Sequence, residues 1–589
     1  QISHFANLRI AVAGPKGRQP KTIGCVVSLL KWEYASAADF LSPDREDDPA
    51  VVRRSIDIYL IGPGDQKPFD VAFRAKDAGD VYSAYKPLKQ EWKDLWFAKA
   101  AAELLQLLGN EQKVPVGEDG LDWERELQDA SATAERGVDV VHLHGATNAM
   151  VGYFLRRSEQ QDLTEREKSP AIVYTLHDSL DEVEYSNLVF NSLAFLDDHA
   201  LGPAFVEAHS TYIVGPQLFA SALGIDVADA VTFVSRSIAA DIVEGRFQFA
   251  LRDLVMPSIA RRAADRTFVG ITNGLDFTDP AKNPFTSPAL VSRGLGFPRV
   301  GANVTDPSTF FAPSLARQPT VPLSPPAPLP TAAYSSLTPL SFASTKQRAK
   351  QHLIAHLPPH FGFTSDDADR PFFLFIGRFQ YNKGCQFFAP ILQHLSTSSS
   401  SGRLILLGAR NNYPHAALRR LARSYPSHLT LIDSIDDQRR WGTLLRMASD
   451  FALVPSFSEA FGLVAAEGLL FGMSVVSSNV GGLAEFLVPI AREADGGNAY
   501  TFDLVKQGDD LGVSAETSRV GIEELGDAVR GCVRAVEKAV EGWVGRSRRG
   551  LDAWSERESF VRSRVADALK LKWSREKGPI EEVRHSVHF

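Results

Sequence analysis

Two doubly wound α/β domains facing each other across a cleft are the fold class that this sequence predicts. Three observations predict it. The chain has 589 residues, too many for a single hydrophobic core and enough for two domains of the larger kind. Short β-branched runs alternate with longer helical patterns along most of it. Those runs are apolar on both parities, the pattern of strands buried on both faces of a parallel sheet.

The elements follow in order. Residues 1–283 carry the runs "LRIAVAG", "IDIYLIG", "DVVHLHG", "AIVYTLHD", "AVTFVS" and "TFVGITNG", with the amphipathic "WKDLWFAKAAAELLQLLG" between two of them. They predict a first Rossmann-like domain. Residues 284–345 hold proline every few positions and are rich in serine. Proline removes backbone donors and fixes φ, so this stretch is expected as a surface insertion or linker. Alternation resumes in 346–550 with "PFFLFIGRF", "GRLILLGA", "LTLIDS", "DFALVPS" and "MSVVSSNVGG", a second Rossmann-like domain. Residues 551–589 begin as a further helix.

Composition excludes several classes. The hydrophobic share of 44% and charged share of 23% are those of an ordinary globular chain. A net charge of -8 argues against a general nucleic-acid binder, whose footprint is basic. Cys25, Cys385 and Cys532 are far apart with no CxxC spacing, which excludes a disulfide framework or a cysteine zinc site and favours a reducing, cytoplasmic location. No apolar run approaches the roughly 18 residues of a membrane span. The first residue is Gln1 rather than Met, so an N-terminal segment is expected to be missing.

Ligands in doubly wound sheets bind beyond the carboxyl ends of the strands, and the polar motifs of the second domain fall there. After "FIG", Arg378 and Lys383 stand near Gly384, where the next helix begins. Two solvated loop cations are one reading. The other is a diphosphate site built from fixed charge, arginine geometry and a helix dipole. After "DFALVPS" come Glu459, Gly462 and Leu463, and Glu467 lies about two turns into the helix. A carboxylate in an apolar run is costly unless something polar meets it, so these glutamates either cap and solvate a helix or hold a polar ligand. The next strand ends at Gly481 and Gly482, which would let a ligand approach the backbone.

In order along the chain, "KTIG" (21–24), "VVHLHGATNAMVGYFL" (140–155), "VYTLHD" (173–178), "ADAVTFVSRSIAADI" (228–242), "GITNGLD" (270–276), "GRFQYNKG" (377–384), "PSFSEAFGL" (455–463) and "VGGLAE" (480–485) resemble the glycogen and starch synthases, and more broadly the retaining glycosyltransferases of the GT-B fold. The resemblance implies a first, acceptor-side domain and a second domain that binds a nucleotide-sugar donor, with the last helix crossing back to the first domain. By it, Arg378 and Lys383 neutralise the donor diphosphate and Glu459 serves the transferring sugar. His177 reaches that sugar, Lys21 and Gly24 form the glycine-rich loop near donor and acceptor, and Asn273 faces the cleft. The seven-residue gap between Glu459 and Glu467 is more typical of the broader retaining families, where the second glutamate holds the ribose hydroxyls.

Two departures fall on the acceptor side. Ile23 stands where the synthases have a first glycine, and Gly145 stands where they have a carboxylate after a histidine corresponding to His144. Of the neighbouring histidines, His142 is expected in the core, while His144, one step along the same face, belongs either to the core or to the site. The acidic pairs in "REDDP", "SDDAD" and "SIDDQ" read as polar loops, not as metal ligands. The implied function is metal-independent, cofactor-free transfer of a glucosyl unit from UDP- or ADP-glucose to a glucan or other carbohydrate acceptor, with retention. A retaining transferase of another sugar or a small acceptor, or a non-catalytic glucan-binding relative, is the alternative.

Overall fold

The computed structural model describes residues 2–12, 21–35, 53–74, 88–109, 138–161, 170–177, 185–196, 202–247, 249, 251–275, 279–298, 341–397, 402–490, 496–504, 525–548 and 550–571. "REDDP" lies outside them. So does most of the proline-rich stretch.

Contacts divide the chain into two compact units at Ile271/Thr272. The first begins with β1 (Ile2–Val12), β2 (Lys21–Ala35) and β3 (Arg53–Gly64), which form an antiparallel sheet in sequential order. This corrects the expectation that the first two apolar runs join a parallel sheet. The reason lies in their periodicity: Leu8, Ile10 and Val12 are buried while Arg9 between them is exposed, the alternation of a sheet with one face covered. "KTIG" is likewise not a loop but the start of β2, with Lys21 opposite Val12 and Gly24 opposite Arg9. Ile23 is a core residue, 2% exposed.

The parallel sheet of this unit contains β4 (Val140–His144), β5 (Ala171–Leu176), β9 (Ala230–Phe233) and β10 (Phe268–Gly270), in the order β10-β9-β5-β4. Every residue of β9 is buried. A small antiparallel sheet of β6 (Ser186–Leu188), β8 (Gln217–Phe219) and β7 (Ile213–Val214) lies elsewhere in the unit.

The second unit is a six-stranded parallel sheet. Its strands are β11 (Phe372–Ile376), β12 (Arg403–Leu407), β13 (Leu429–Ile432), β14 (Phe451–Val454), β15 (Ser474–Ser477) and β16 (Ala499–Thr501), ordered β13-β12-β11-β14-β15-β16. Strand side chains alternate between two cores. Phe372, Leu374, Ile405 and Val454 enter one, and Phe373, Phe375, Leu404 and Leu453 enter the other. Burial on both faces is why these runs read as continuously apolar. The buried Arg403 at the start of β12 is matched by Asp367 at 3.0 Å and by the Thr430 hydroxyl at 2.8 Å, as a buried cation requires. Asp367 belongs to "SDDAD", whose acidic pair is thus structural.

Part of the stretch expected as a linker is core. Leu290, Leu295 and Phe297 pack with Phe342, because proline there starts the short helix Pro288–Val291 instead of interrupting one. The helix Gly550–Lys570 contributes Val561, Val565 and Ala568 to the same core. No helix among the described residues is long and apolar enough to cross a membrane.

Candidate functional site

The strand order of unit 2 reverses between β11 and β14. The chain runs outward through β12 and β13 on one side and through β15 and β16 on the other. Loops leaving adjacent strands at such a point diverge and leave a crevice for ligand. The predicted motifs of unit 2 occupy those loops.

Past β11, Arg378 is exposed. A single turn, Tyr381–Lys383, then ends at Gly384 with φ +73°. A Cβ on Gly384 would lie 1.9 Å from the Pro455 carbonyl oxygen, so only glycine lets the loops after β11 and β14 touch. The Phe457 amide donates to the Asn382 carbonyl at 2.8 Å across the same seam. These contacts bring Lys383 Nζ to 2.8 Å from Glu459 Oε1. The Ser456 hydroxyl donates to that same oxygen at 2.8 Å.

Glu459 is therefore held from one side, through one oxygen. Oε2 accepts no hydrogen bond among the described residues. A largely buried carboxylate fixed this way, with one oxygen left over, can accept from a polyol, and the paired ammonium can turn to an anion. Ser456 was not singled out in the sequence, although it stands three residues before Glu459.

The third loop joins through backbone. The Gly482 amide donates to the Glu459 carbonyl at 3.0 Å, and the space beside Gly482 is filled by the Ala460 carbonyl. Leu483 fills the space beside Gly462. The room that glycine leaves at both positions thus serves loop-on-loop packing. Leu463, 43% exposed, opens the helix Leu463–Leu470. Thr272 donates to Glu485 at 2.9 Å, so the turn carrying the half-buried Asn273 is tied within unit 2 to the loop of Gly481 and Gly482.

Glu467 is 6% exposed and meets two cations. Lys282 Nζ lies 2.8 Å from Oε1, and an Arg446 guanidinium nitrogen lies 3.3 Å from Oε2. Burying a carboxylate demands such partners. Neither cation was legible in the sequence, because Lys282 ends the short turn Pro280–Lys282 and Arg446 lies on the helix Ile435–Ala448, and both reach Glu467 only through tertiary packing.

In unit 1, Lys21 is exposed at the start of β2, the Asp65 amide donates to the Gly24 carbonyl at 2.9 Å, and the Gly24 amide donates to the Asp65 carboxylate at 2.9 Å. His177 follows β5 and is exposed; its Nε2 lies 2.7 Å from His144 Nδ1. The His142 ring lies against His144 with centroids 4.1 Å apart, and its Nε2 is 2.6 Å from the Thr175 hydroxyl. His142 is exposed, not a core residue as expected, because β4 is an edge strand whose odd-numbered residues alone face inward. Partial burial pushes the His142 imidazole below its usual range, helped by the neighbouring His144 and His177. Partial burial lowers His144 as well. Among the described residues no cluster of His, Cys, Asp or Glu has the arrangement to hold a metal ion.

Known proteins share this plan. Residues 55–256 match the family model described as starch synthase catalytic domain, and residues 370–504 match glycosyl transferases group 1. A glycogen synthase 1 from Rhizobium meliloti is 25% identical over 60% of this chain and 58% of its own length. A D-inositol 3-phosphate glycosyltransferase from Xylanimonas cellulosilytica is 36% identical over 20% of this chain and 27% of its own length. The catalytic domain of starch synthase IV from Arabidopsis thaliana, solved bound to ADP and acarbose, superposes with a TM-score of 0.60 at 16% identity, covering 99% of this chain and 87% of that one. The fold and the ordered matches define a chain of the GT-B class. Within that class it is glycogen/starch-synthase-like. It spans less than two thirds of the length of the curated glycogen synthase it matches.

Proposed function

We propose that the chain is a retaining glucosyltransferase that moves an α-glucosyl unit from a nucleotide-diphosphate glucose, UDP- or ADP-glucose, to a hydroxyl of a glucan or other carbohydrate acceptor. The observation that carries this reading is the Lys383–Glu459 pair on adjoining loops at the reversal of the parallel sheet, with Arg378 exposed beside it. The diphosphate brings its negative charge to Arg378 and Lys383, which stabilise the leaving group without a metal. Glu459, released from Lys383, accepts from sugar hydroxyls and opposes the positive charge that develops at the anomeric carbon. The acceptor oxygen bonds to that carbon on the face the phosphate leaves. The carbon–phosphate oxygen bond breaks with its electron pair going to phosphate, and the acceptor proton passes to the same phosphate. A nucleoside diphosphate and an α-glycoside result.

The ADP in the Arabidopsis starch synthase structure supports a nucleoside diphosphate product. Buried free cysteines support a cytoplasmic setting. A small acceptor is the second reading, favoured by the local likeness to the D-inositol 3-phosphate enzyme.

Glu459→Gln tests the assignment. It keeps the shape and the Ser456 contact but removes the charge. Turnover is expected to fall by about 10² to 10³, while calorimetry shows nucleoside-diphosphate affinity within about threefold of the parent, on the view that Glu459 serves sugar and not phosphate. Parental turnover in this variant would overturn the reading.

A further inference from the structure

We propose that His144 is the positioning residue for His177, presented to it by a turn that only glycine can form at position 145. The inference rests on the functional reading above, in which His177 meets the transferring sugar.

The first observation is the bond itself, His144 Nδ1 to His177 Nε2 at 2.7 Å. Each imidazole nitrogen is either a donor or an acceptor, so a bond between two such nitrogens requires one to carry the proton and the other not. The tautomer of each ring is thereby coupled to that of its neighbour. The His177 ring has three staggered choices about χ1, and this bond selects one.

The second observation is how His144 is delivered. Gly145 has φ 79° and ψ 159°, a region that is essentially glycine's alone. Its amide donates to the Thr175 carbonyl at 3.2 Å, and its carbonyl accepts from the Asn148 amide at 3.1 Å. The Asn148 side chain donates to the His144 carbonyl at 2.8 Å. The turn that leaves His144 is thus pinned by three hydrogen bonds. His142 lies tilted against the ring, anchored to Thr175, whose hydroxyl also meets Thr232 at 2.5 Å.

The glycine that stands where the synthases carry a carboxylate is therefore part of a different device. An aspartate at 145 could not adopt this backbone without strain. The ring of His144 supplies the fixed partner from one residue earlier.

The experiment compares the full-length chain with His144→Ala, His144→Asn and His177→Ala, scoring donor turnover and the imidazole nitrogen resonances of histidine-labelled protein. Asn places an amide atom where Nδ1 stood. His144→Ala is expected to lower kcat about tenfold with KM for the donor within about twofold, and to average the two His177 nitrogens that are distinct in the parent. His144→Asn is expected to restore most of both. Unchanged His177 resonances in His144→Ala would overturn the proposal whatever the turnover. So would a loss in His144→Ala that His144→Asn does not repair. Full turnover in His177→Ala would instead refute the role given to His177, and the resonances would still decide whether His144 fixes its ring.

Discussion

Replacing Gly384 by alanine perturbs the proposed site without touching a charged group. The residue sits at φ +73°, which costs an L side chain about 1 kcal/mol. The new Cβ would stand 1.9 Å from the Pro455 oxygen and 2.7 Å from its carbonyl carbon. An ordinary contact is about 3.5 Å, so the loops after β11 and β14 must part by roughly 1.5 Å. Both obstructing atoms are backbone, and neither can rotate away. Separation also stretches the Phe457–Asn382 hydrogen bond, worth about 1 kcal/mol. Together these give a loss of about 2 kcal/mol, read as a lower urea midpoint for unit 2.

Activity should fall further than stability. Lys383 and Glu459 would no longer be held together, and a misplacement near 1 Å costs about 10²-fold in rate. Gly294→Ala is the matched control, since it has φ +66° but nothing within 4 Å of the added carbon; it should lose about 1 kcal/mol and no turnover. The reasoning is refuted if Gly384→Ala matches Gly294→Ala in both midpoint and nucleotide release.

Two other outcomes follow from buried charges. Lys346 is enclosed, and desolvation lowers its ammonium to about 7 while its nitrogen donates to the carbonyls of Met447 and Phe471. Between that value and the unfolded lysine near 10.4 the unfolded chain binds the extra proton, so stability rises with pH across the window. Relative to Lys346→Met, the parent is expected to gain about 2 kcal/mol between pH 7.5 and pH 9.5; a flat difference would contradict this. Glu467→Gln leaves Arg446 facing a neutral group, while the more exposed Lys282 turns to water. About 2 kcal/mol of stability should be lost, and calorimetry should show weaker nucleoside-diphosphate binding; unaltered unfolding would show that the two cations do not need this carboxylate.

Much of unit 2 was legible because its strands are buried on both faces. "LILL" and "FALV" can hardly be anything but central parallel strands, and the polar residues that follow them mark the ligand edge. Unit 1 was harder for the opposite reason. Leu8, Ile10 and Val12 alternate with Arg9 and Ala11, a period of two that signals a half-covered antiparallel sheet, and β2 leaves the apolar Val26 and Trp32 on its open face, which blurs that period.

The site divides in the same way. Lys383 and Glu459 could each be assigned to the ligand edge from sequence because each follows a strand, whereas their contact with each other comes from the structure. The partners of Glu467 could not, because Lys282 and Arg446 reach it only through tertiary packing. Proline density concealed Leu290, Leu295 and Phe297, whose burial depends on Phe342 arriving from beyond the stretch. His142 was misjudged because a strand's place at a sheet edge is not written in its own residues.

Donor turnover tests the central claim most directly. The full chain is incubated with UDP-, ADP- and GDP-glucose in EDTA, with and without maltooligosaccharide or glycogen, and both nucleoside-diphosphate release and chain extension are scored. The proposed glucosyltransferase releases nucleoside diphosphate from UDP- or ADP-glucose in EDTA, and Arg378→Ala or Lys383→Ala lowers that release by orders of magnitude. No release and no donor binding with any of the three would contradict the claim and leave the chain a non-catalytic relative of the synthases.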